Sequence, residues 1–293
     1  MSRNVTLAAA QMGPIARTEN RASVMRRLIA MMRQAKSMGA DVVAYPEATL
    51  TAFFPHWYTE DEDEVDAWFE RDMPGPDTQP LFDEARRLGI GFHLGYCELD
   101  LSSGHKRRFN TAILVDAQGR IIGKYRKIHL PGHSDHRPHT PFQNLEKRYF
   151  EVGDLGFGAW RAYGGVAGMI ICNDRRWPES YRVLGLQGVD MVFCGYNTPV
   201  HHPAAPDHDR LGQFHNELSM QSGAYQNSTW VVGIAKAGME EGVDMIAGSC
   251  IIALVPDAES MAESALSHLG ADAIGVIAEV PAMLLGLTAA MAT

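Results

Sequence analysis

The sequence predicts an α/β fold in which helices cover layers of β-sheet. Residues 5–11 have the apolar composition of a buried strand, residues 20–39 resemble an amphipathic helix that ends at a glycine, and residues 41–47 contain a second short strand. Strand, helix and strand at this spacing are typical of a βαβ unit. Because no linker interrupts the chain up to Ala253, we expect one domain over residues 1–293 with an atypical C-terminal part, 254–293.

The composition excludes several classes of protein. The 293 residues are 46% hydrophobic and 21% charged, as in ordinary folded proteins, and the net charge of −9 argues against a nucleic-acid partner. No stretch has the ~18 apolar residues of a membrane span, and the N-terminus does not resemble a signal peptide. The four cysteines are far apart and form no CxxC motif. We therefore expect a cytoplasmic protein that binds neither nucleic acid nor membrane.

The middle of the chain continues the alternation of helices and strands. Its expected elements are, in order, an acidic helix at 60–70, a helix at 78–88, and strands at 89–99, 110–116 and 121–127. Residues 117–120 indicate a hairpin between the last two strands. Residues 130–155 form a long loop rich in histidine and proline, and loops of that length are often functional.

The second half of the chain predicts another set of strands. The expected elements are strands at 155–163 and 166–171, a helix at 179–187, a strand at 189–196, a helix ending at 226, and strands at 230–236, 247–253 and 274–280.

Three of the predicted strands end in a reactive side chain: Glu47, Lys127 and Cys172. Open α/β sheets gather their sites at the carboxyl ends of strands, so such a fold would unite the three residues. A carboxylate can take the proton of a thiol, and an ammonium can lower the pKa of the thiol and stabilise an oxyanion. Each residue also has a structural interpretation. Cys172 could be a buried thiol, Lys127 a solvated strand edge, and Glu47 a helix cap.

Arg175 and Arg176 follow the cysteine directly, and two adjacent guanidinium groups favour an anion-binding pocket. The structural interpretation of this pair is an ion pair with Asp174 or Glu179 at the start of a helix.

Several motifs resemble those of the nitrilase, or carbon–nitrogen hydrolase, superfamily. Residues 45–47 (YPE), 123–130 (GKYRKIHL) and 171–179 (ICNDRRWPE) are similar to its three catalytic motifs, in the same order. The N-carbamoyl-D-amino-acid amidohydrolases, or D-carbamoylases, are the most similar branch. This narrower resemblance rests on residues 172–179 together with 107–111 (RRFNT), 145–150 (LEKRYF) and 195–199 (GYNTP).

The resemblance implies a four-layer αββα sandwich and hydrolysis of N-carbamoyl-D-amino acids to D-amino acid, ammonia and carbon dioxide. Glu47 would be the base, Lys127 the oxyanion stabiliser and Cys172 the nucleophile, with Glu146 as a second glutamate near the site. No cofactor or metal is implied, and a homodimer or homotetramer is expected. The residues expected to contact the substrate are Arg175 and Arg176 at its carboxylate, with Asn173, His129, Asn197 and Thr198.

His129 could instead be a structural histidine, and Asn173, Asn197 and Thr198 could simply terminate strands.

The sequence departs from the family pattern at two places. Asn144 stands where family members often have a histidine, which puts a contribution of that side chain to substrate handling in doubt. After Ala253 only residues 274–280 resemble the family's further strands and charged tail. We therefore expect weakened subunit contacts or reduced stability, and a tight tetramer of ordinary thermal stability in size-exclusion chromatography would contradict this.

The sequence also fits three rival functions. A metal-dependent amidohydrolase is suggested by histidines in two loops, although metal ligands usually lie on rigid elements. Those histidines are His133, His136, His139, His201, His202 and His208. The second rival is a nitrilase-fold interaction protein without catalysis. The third is another enzyme of the superfamily, acting on a carboxylate-bearing amide, a simple amide or a nitrile.

Overall fold

The computed structural model describes residues 4–252 and 273–281 of the chain. The predicted C-terminal part, 254–293, therefore lies outside the described residues except at 273–281. The described strands are β1 (Asn4–Gln11), β2 (Val42–Ala44), β3 (Gly91–Asp100), β4 (Arg107–Val115), β5 (Ile121–Arg126), β6 (Ala159–Ala162), β7 (Gly165–Ile171), β8 (Met191–Tyr196), β9 (Trp230–Ala235), β10 (Ala237–Glu240), β11 (Val243–Ile246), β12 (Cys250–Ile252) and β13 (Ala273–Pro281).

The helices and 3-10 turns complete the described secondary structure. The α-helices are α1 (Arg21–Ser37), α2 (Glu62–Asp66), α3 (Gln79–Leu88), α4 (Glu146–Tyr149), α5 (Pro178–Leu186) and α6 (Gly212–Asn227). The 3-10 helices are Phe54–His56, Cys172–Arg176 and Pro206–Leu211. None of the described helices is both long enough and apolar enough to traverse a bilayer.

The strands of the first sheet lie in the order β13–β1–β2–β3–β4–β5. β1, β2 and β3 are parallel, and α1 connects the first two, so the predicted βαβ unit is confirmed. The strand predicted at 274–280 is also confirmed, because β13 pairs antiparallel with β1.

The second sheet repeats this plan with different strands, in the order β12–β9–β8–β7–β6. Its central strands β7, β8 and β9 are parallel, and its edge strands β6 and β12 are antiparallel to their neighbours. A parallel bridge between Met12 and Lys236 aligns β1 with β9. The parallel strands of both sheets therefore end on the same side of the molecule.

The two sheets pack face to face between two layers of helices. Along β1, Leu7 and Ala9 belong to the core between the sheets, whereas Ala8 and Ala10 pack with α1 and α3. This alternation follows from the two-residue period of a strand. On the far side, α5 and α6 pack against the second sheet through residues such as Leu184. The fold is therefore the αββα sandwich that the sequence resemblance implied.

The first helix shows how local sequence builds these layers. Asn20 caps α1 by accepting a hydrogen bond from the Ser23 N–H at 2.9 Å, and Val24, Leu28 and Met31 place apolar side chains on one face. Leu28 is fully buried, and burial of a leucine side chain contributes about 2 kcal/mol.

Some predicted elements differ from those observed. The acidic helix is limited to α2, with Phe69 buried and Trp68 only partly buried beyond its end. The strand predicted at 155–163 is reduced to β6, because residues 155–158 form an irregular segment. The hairpin of β10 and β11 was not predicted, since its strands have four residues each and two of those in β10 are exposed.

Candidate active site

Glu47, Lys127 and Glu146 form a buried charged cluster on the side where the parallel strands end. Lys127 Nζ lies 2.7 Å from Glu47 Oε1 and 2.6 Å from Glu146 Oε2, and each residue is at most 1% exposed. Burial opposes the charge on the lysine, but Cys172 and the two glutamates raise the pKa of Lys127 well above its usual value. The lysine is therefore an ammonium ion, and neither a solvated Lys127 nor a helix-capping Glu47 is observed.

The carboxylate of Glu47 is held by donors from three separate parts of the chain. Asn110 Nδ2 and Lys127 Nζ donate to Oε1, each at 2.7 Å, and the Asn197 backbone N–H donates to Oε2 at 2.9 Å. The Asn197 side chain also donates to the Glu47 carbonyl oxygen at 2.8 Å. These contacts fix the side chain in one orientation, as is required of a group that transfers protons.

Two glycines allow the Glu47 segment to lie between the sheets. A Cβ atom on Gly95 would lie 2.5 Å from the Pro46 carbonyl oxygen, and one on Gly195 would lie 2.7 Å from the Glu47 backbone nitrogen. Gly95 is on β3 and Gly195 is on β8, so one glycine comes from each sheet. Any larger residue at either position would require the backbone to move.

Cys172 lies at the sharp turn between β7 and the 3-10 helix that follows it. Its φ of 47° is in the left-handed region, which is uncommon for a residue with a side chain and is often found at functional sites. Burial and the charge of Glu47 raise the pKa of the thiol, whereas Lys127 and Arg175 lower it. The ammonium of Lys127 therefore lowers the pKa of the thiol, as expected, but burial outweighs this effect. Ionisation of the thiol then requires a nearby base.

Cys172 opens into a cavity of about 480 Å³. Six of the predicted site residues line it: Cys172, Glu146, Asn173, Arg176, Asn197 and Thr198. Burial raises the pKa of Glu146, and the charge of Lys127 opposes the rise.

The two adjacent arginines have different environments. Arg176 lines the cavity, and within residues 4–252 and 273–281 it makes no hydrogen bond or ion pair. Arg175 is 1% exposed and does not line the cavity. Its guanidinium donates to Asn216 Oδ1 at 2.9 Å, to the Cys172 carbonyl oxygen at 2.6 Å and to Thr198 Oγ1 at 2.9 Å. The donors of Arg175 are therefore occupied by the protein, and its contact with the substrate stays a prediction.

His129 is likewise held by contacts with the protein. Its Nδ1 lies 2.8 Å from Asp174 Oδ1, and its ring stacks on Trp177 and Phe157 outside the cavity wall. Asp174 in turn accepts hydrogen bonds from the Ile171 N–H at 2.9 Å and the Tyr125 hydroxyl at 2.7 Å. His129 thus belongs to a network that holds the turn at Cys172, as its structural interpretation proposed.

Other histidines do surround the cavity, but they do not form a ligand set. His133, His201, His202 and His208 line its wall, whereas His136 stacks on Tyr58. Among the described residues, no group of three or more histidine, cysteine or carboxylate side chains is arranged to hold a metal ion.

Two polar residues of the site were not predicted from the sequence. Asn110 contacts Glu47, and it was present in the stretch 107–111 that carries the family resemblance. His56 lines the cavity, and burial together with the charge of Lys236 lowers its pKa to about 3. A neutral imidazole therefore faces the cavity. No pattern in the sequence distinguished it from the surrounding aromatic residues.

Comparison with known proteins identifies the family. The model of the family described as carbon-nitrogen hydrolase matches residues 6–270. The chain belongs to the carbon–nitrogen hydrolases. Enzymes of this family act on carbon–nitrogen bonds, which agrees with a thiol, an ammonium and two carboxyl groups at one site.

Individual relatives of this carbon–nitrogen hydrolase differ in their named activities. A nitrilase of Pyrococcus abyssi is 31% identical over 267 residues, which cover 91% of this chain and 88% of the relative. An N-carbamoylputrescine amidase of Solanum lycopersicum is 27% identical over 243 residues, covering 82% of this chain and 73% of the relative. Neither of these relatives is named a D-carbamoylase, so the narrower resemblance inferred from the sequence stays a prediction.

The fold is also found in solved structures. A mutant of the amidase from Nesterenkonia sp. AN1, with the acetamide moiety of fluoroacetamide added covalently at its active-site cysteine, has a TM-score of 0.65 and 17% identity. The match covers 85% of this chain and 82% of that one. At this identity the likeness supports the αββα sandwich alone.

Proposed function

We propose that this carbon–nitrogen hydrolase converts N-carbamoyl-D-amino acids to D-amino acid, ammonia and carbon dioxide. The observation that carries this assignment is the environment of Arg176. Its guanidinium has no partner among the described residues and lies in the same cavity as Cys172 and Glu146. A free guanidinium binds a carboxylate through two parallel hydrogen bonds, and it would fix the acid end of such a substrate beside the thiol.

The charges of the cavity favour an anionic substrate over a cationic one. Its acidic residues, Glu146 and Asp209, are both paired: Glu146 with Lys127, and Asp209 with His201 Nδ1 at 2.7 Å and the His202 N–H at 2.8 Å. N-carbamoylputrescine carries an ammonium group, and the described cavity wall has no unpaired carboxylate that could bind it. An N-carbamoyl amino acid carries a carboxylate that suits Arg176.

Unpaired oxygen atoms in the wall favour a ureido group over a nitrile. Asn144 and Asn197 line the cavity, and the Oδ1 atom of each is buried and has no hydrogen-bond partner among the described residues. The orientation of the Asn197 amide is fixed, because its Nδ2 donates to Glu47. A ureido group offers three N–H donors to such acceptors, whereas a nitrile offers none and would leave them unsatisfied.

The proposed reaction divides among the clustered groups. Glu47 takes the thiol proton, and the sulfur of Cys172 attacks the ureido carbon while Lys127 and a backbone N–H stabilise the oxyanion. Glu47 passes its proton to the departing nitrogen. It then removes a proton from water, whose oxygen bonds to the carbonyl carbon as the carbon–sulfur bond breaks, and it returns this proton to the sulfur. The released carbamic acid splits at its remaining carbon–nitrogen bond into carbon dioxide and the second nitrogen product, an amine or ammonia. Glu146 holds Lys127 in place. The order in which the two nitrogens depart is left open.

A substrate panel tests the proposed function. We expect turnover of N-carbamoyl-D-amino acids to exceed that of the L-enantiomers and of plain amides without a carboxylate, measured as ammonia release. The preference for D-substrates comes from the resemblance of residues 172–179 and 195–199. Faster turnover of N-carbamoylputrescine or of a nitrile would contradict the assignment. Activity that is lost on chelation and survives thiol alkylation would favour a metal-dependent hydrolase instead.

Replacing Arg176 by glutamine should weaken binding of the substrate carboxylate. Hydrogen bonds to charged groups contribute about 1.5–3 kcal/mol, so KM for an N-carbamoyl-D-amino acid should rise roughly 10- to 100-fold. The KM for a plain amide without a carboxylate should change little. Arg161→Gln, at an exposed arginine of β6 away from the cavity, is the matched control. An equal rise in KM for both substrates in Arg176→Gln would show that Arg176 does not bind the substrate carboxylate.

A further inference from the structure

The hydroxyl group of Thr198 lies between the guanidinium of Arg175 and the sulfur of Cys172. Arg175 Nη2 donates to Thr198 Oγ1 at 2.9 Å, and Thr198 Oγ1 lies 3.9 Å from Cys172 Sγ, within the range of hydrogen bonds that involve sulfur. These are the only two side-chain hydrogen bonds of Thr198 among the described residues.

The chemistry of the three groups sets the direction of these bonds. A guanidinium has donors and no acceptor, so Arg175 occupies a lone pair of the Thr198 oxygen and leaves the hydroxyl hydrogen to point elsewhere. Once Cys172 has lost its proton, the sulfur can only accept. We propose that Thr198 donates its hydroxyl hydrogen to the thiolate of Cys172, and that Arg175 is the positioning residue that orients this hydroxyl.

We call the hydrogen-bonded series of Arg175, Thr198 and Cys172 the relay. The surrounding structure fixes Arg175 and Thr198 in place. Arg175 is held by Asn216 on α6 and lies over the ring of Tyr196, with its guanidinium carbon 4.4 Å from the ring centre. The backbone of Thr198 is tied to β11, because its carbonyl oxygen accepts a hydrogen bond from the Ile246 N–H at 2.8 Å. The hydroxyl is thus oriented before any substrate binds, and little reorganisation is needed when charge develops on the sulfur.

A donor to the sulfur has a clear use at this site. Burial and the charge of Glu47 both disfavour the thiolate, and a hydrogen bond that exists only with the charged form offsets part of that cost. The relay would also explain why Arg175 points away from the cavity while Arg176 lines it. This inference rests on the proposed role of Cys172 as nucleophile, and it assigns Thr198 to the sulfur rather than to the substrate.

The pH dependence of thiol alkylation tests the relay without any substrate. Wild type, Thr198→Val and Thr198→Ser are treated with iodoacetamide between pH 5 and 10, and the rate of a Cys172→Ala variant is subtracted to remove the other cysteines. Loss of a hydrogen bond to a charged group, worth about 1.5 kcal/mol, should slow alkylation of Thr198→Val at pH 7 roughly 10-fold and move its profile to higher pH. Thr198→Ser keeps the hydroxyl and should stay close to wild type.

Two outcomes would overturn the relay: a Thr198→Val profile that superimposes on that of wild type, or equal shifts in Thr198→Val and Thr198→Ser. Thr229→Val removes a buried hydroxyl remote from Cys172 and should leave the profile unchanged. If valine prevents folding, the comparison of Thr198→Ser with Thr198→Ala gives the same test. Failure to hydrolyse N-carbamoyl-D-amino acids would contradict the proposed function but not the relay, because alkylation is measured without substrate.

Discussion

Replacing Cys172 by alanine should lower kcat for an N-carbamoyl-D-amino acid about 10⁴-fold or more, because loss of a covalent nucleophile removes the whole reaction path. The substitution takes away one sulfur atom from a residue that is 7% exposed, so the fold should persist. Ammonia release at saturating substrate gives kcat, and circular dichroism verifies the structure.

Cys250→Ala is the matched control for this experiment. Cys250 is also buried, lies on β12 and does not line the cavity, so the same truncation there should leave kcat within a few-fold of wild type. A Cys172→Ala variant that retained more than a few per cent of activity would exclude covalent catalysis by this residue. It would also favour an enzyme that activates water directly.

Replacing Lys127 by methionine should abolish activity and also destabilise the protein. The substitution leaves Glu47 and Glu146 buried without the cation that lies 2.7 and 2.6 Å from them, and breaking a buried ion pair costs about 3–5 kcal/mol. Urea denaturation at pH 7 measures the free energy of unfolding. We expect the midpoint to fall without a change in the slope of the transition.

A double variant separates repulsion from lost packing. In Lys127→Met with Glu146→Gln, one of the two uncompensated charges is gone, so the free energy of unfolding should recover by an appreciable part of the loss while activity stays absent. Equal instability of the single and double variants would mean that the charges of Glu47 and Glu146 do not cause the destabilisation.

Much of the architecture could be predicted from periodicity and from the ends of strands. The apolar run before Cys172 predicted a buried strand, and the βαβ pattern at the N-terminus predicted parallel strands. The rule that sites lie at the carboxyl ends of strands brought Glu47, Lys127 and Cys172 together in advance. The structure joins Lys127 to Glu47 although 80 residues separate them. Short polar strands such as β10 and β11 lack such a signal, because their hydrogen bonds depend on neighbours that local sequence does not specify.

The roles of Arg175 and Arg176 could not be separated from sequence. The two residues are identical and adjacent, but successive side chains of a 3-10 helix point about 120° apart. One guanidinium therefore enters the protein and the other enters the cavity. Which one does so depends on Asn216 and Thr198, whose positions are set by elements far along the chain. His56 could not be predicted either, because its place at the cavity also depends on tertiary packing and not on local sequence.

Gly95 and Gly195 have a consequence for anyone who redesigns this site. They carry no functional group, yet each lets one sheet come close to the segment that bears Glu47. A single added methyl group at either glycine would push the main chains apart. The segment that bears Glu47 would move, and so would the carboxylate that transfers the proton. Reactivity here is therefore constrained by two missing side chains as well as by those present, and a search confined to polar residues would overlook them.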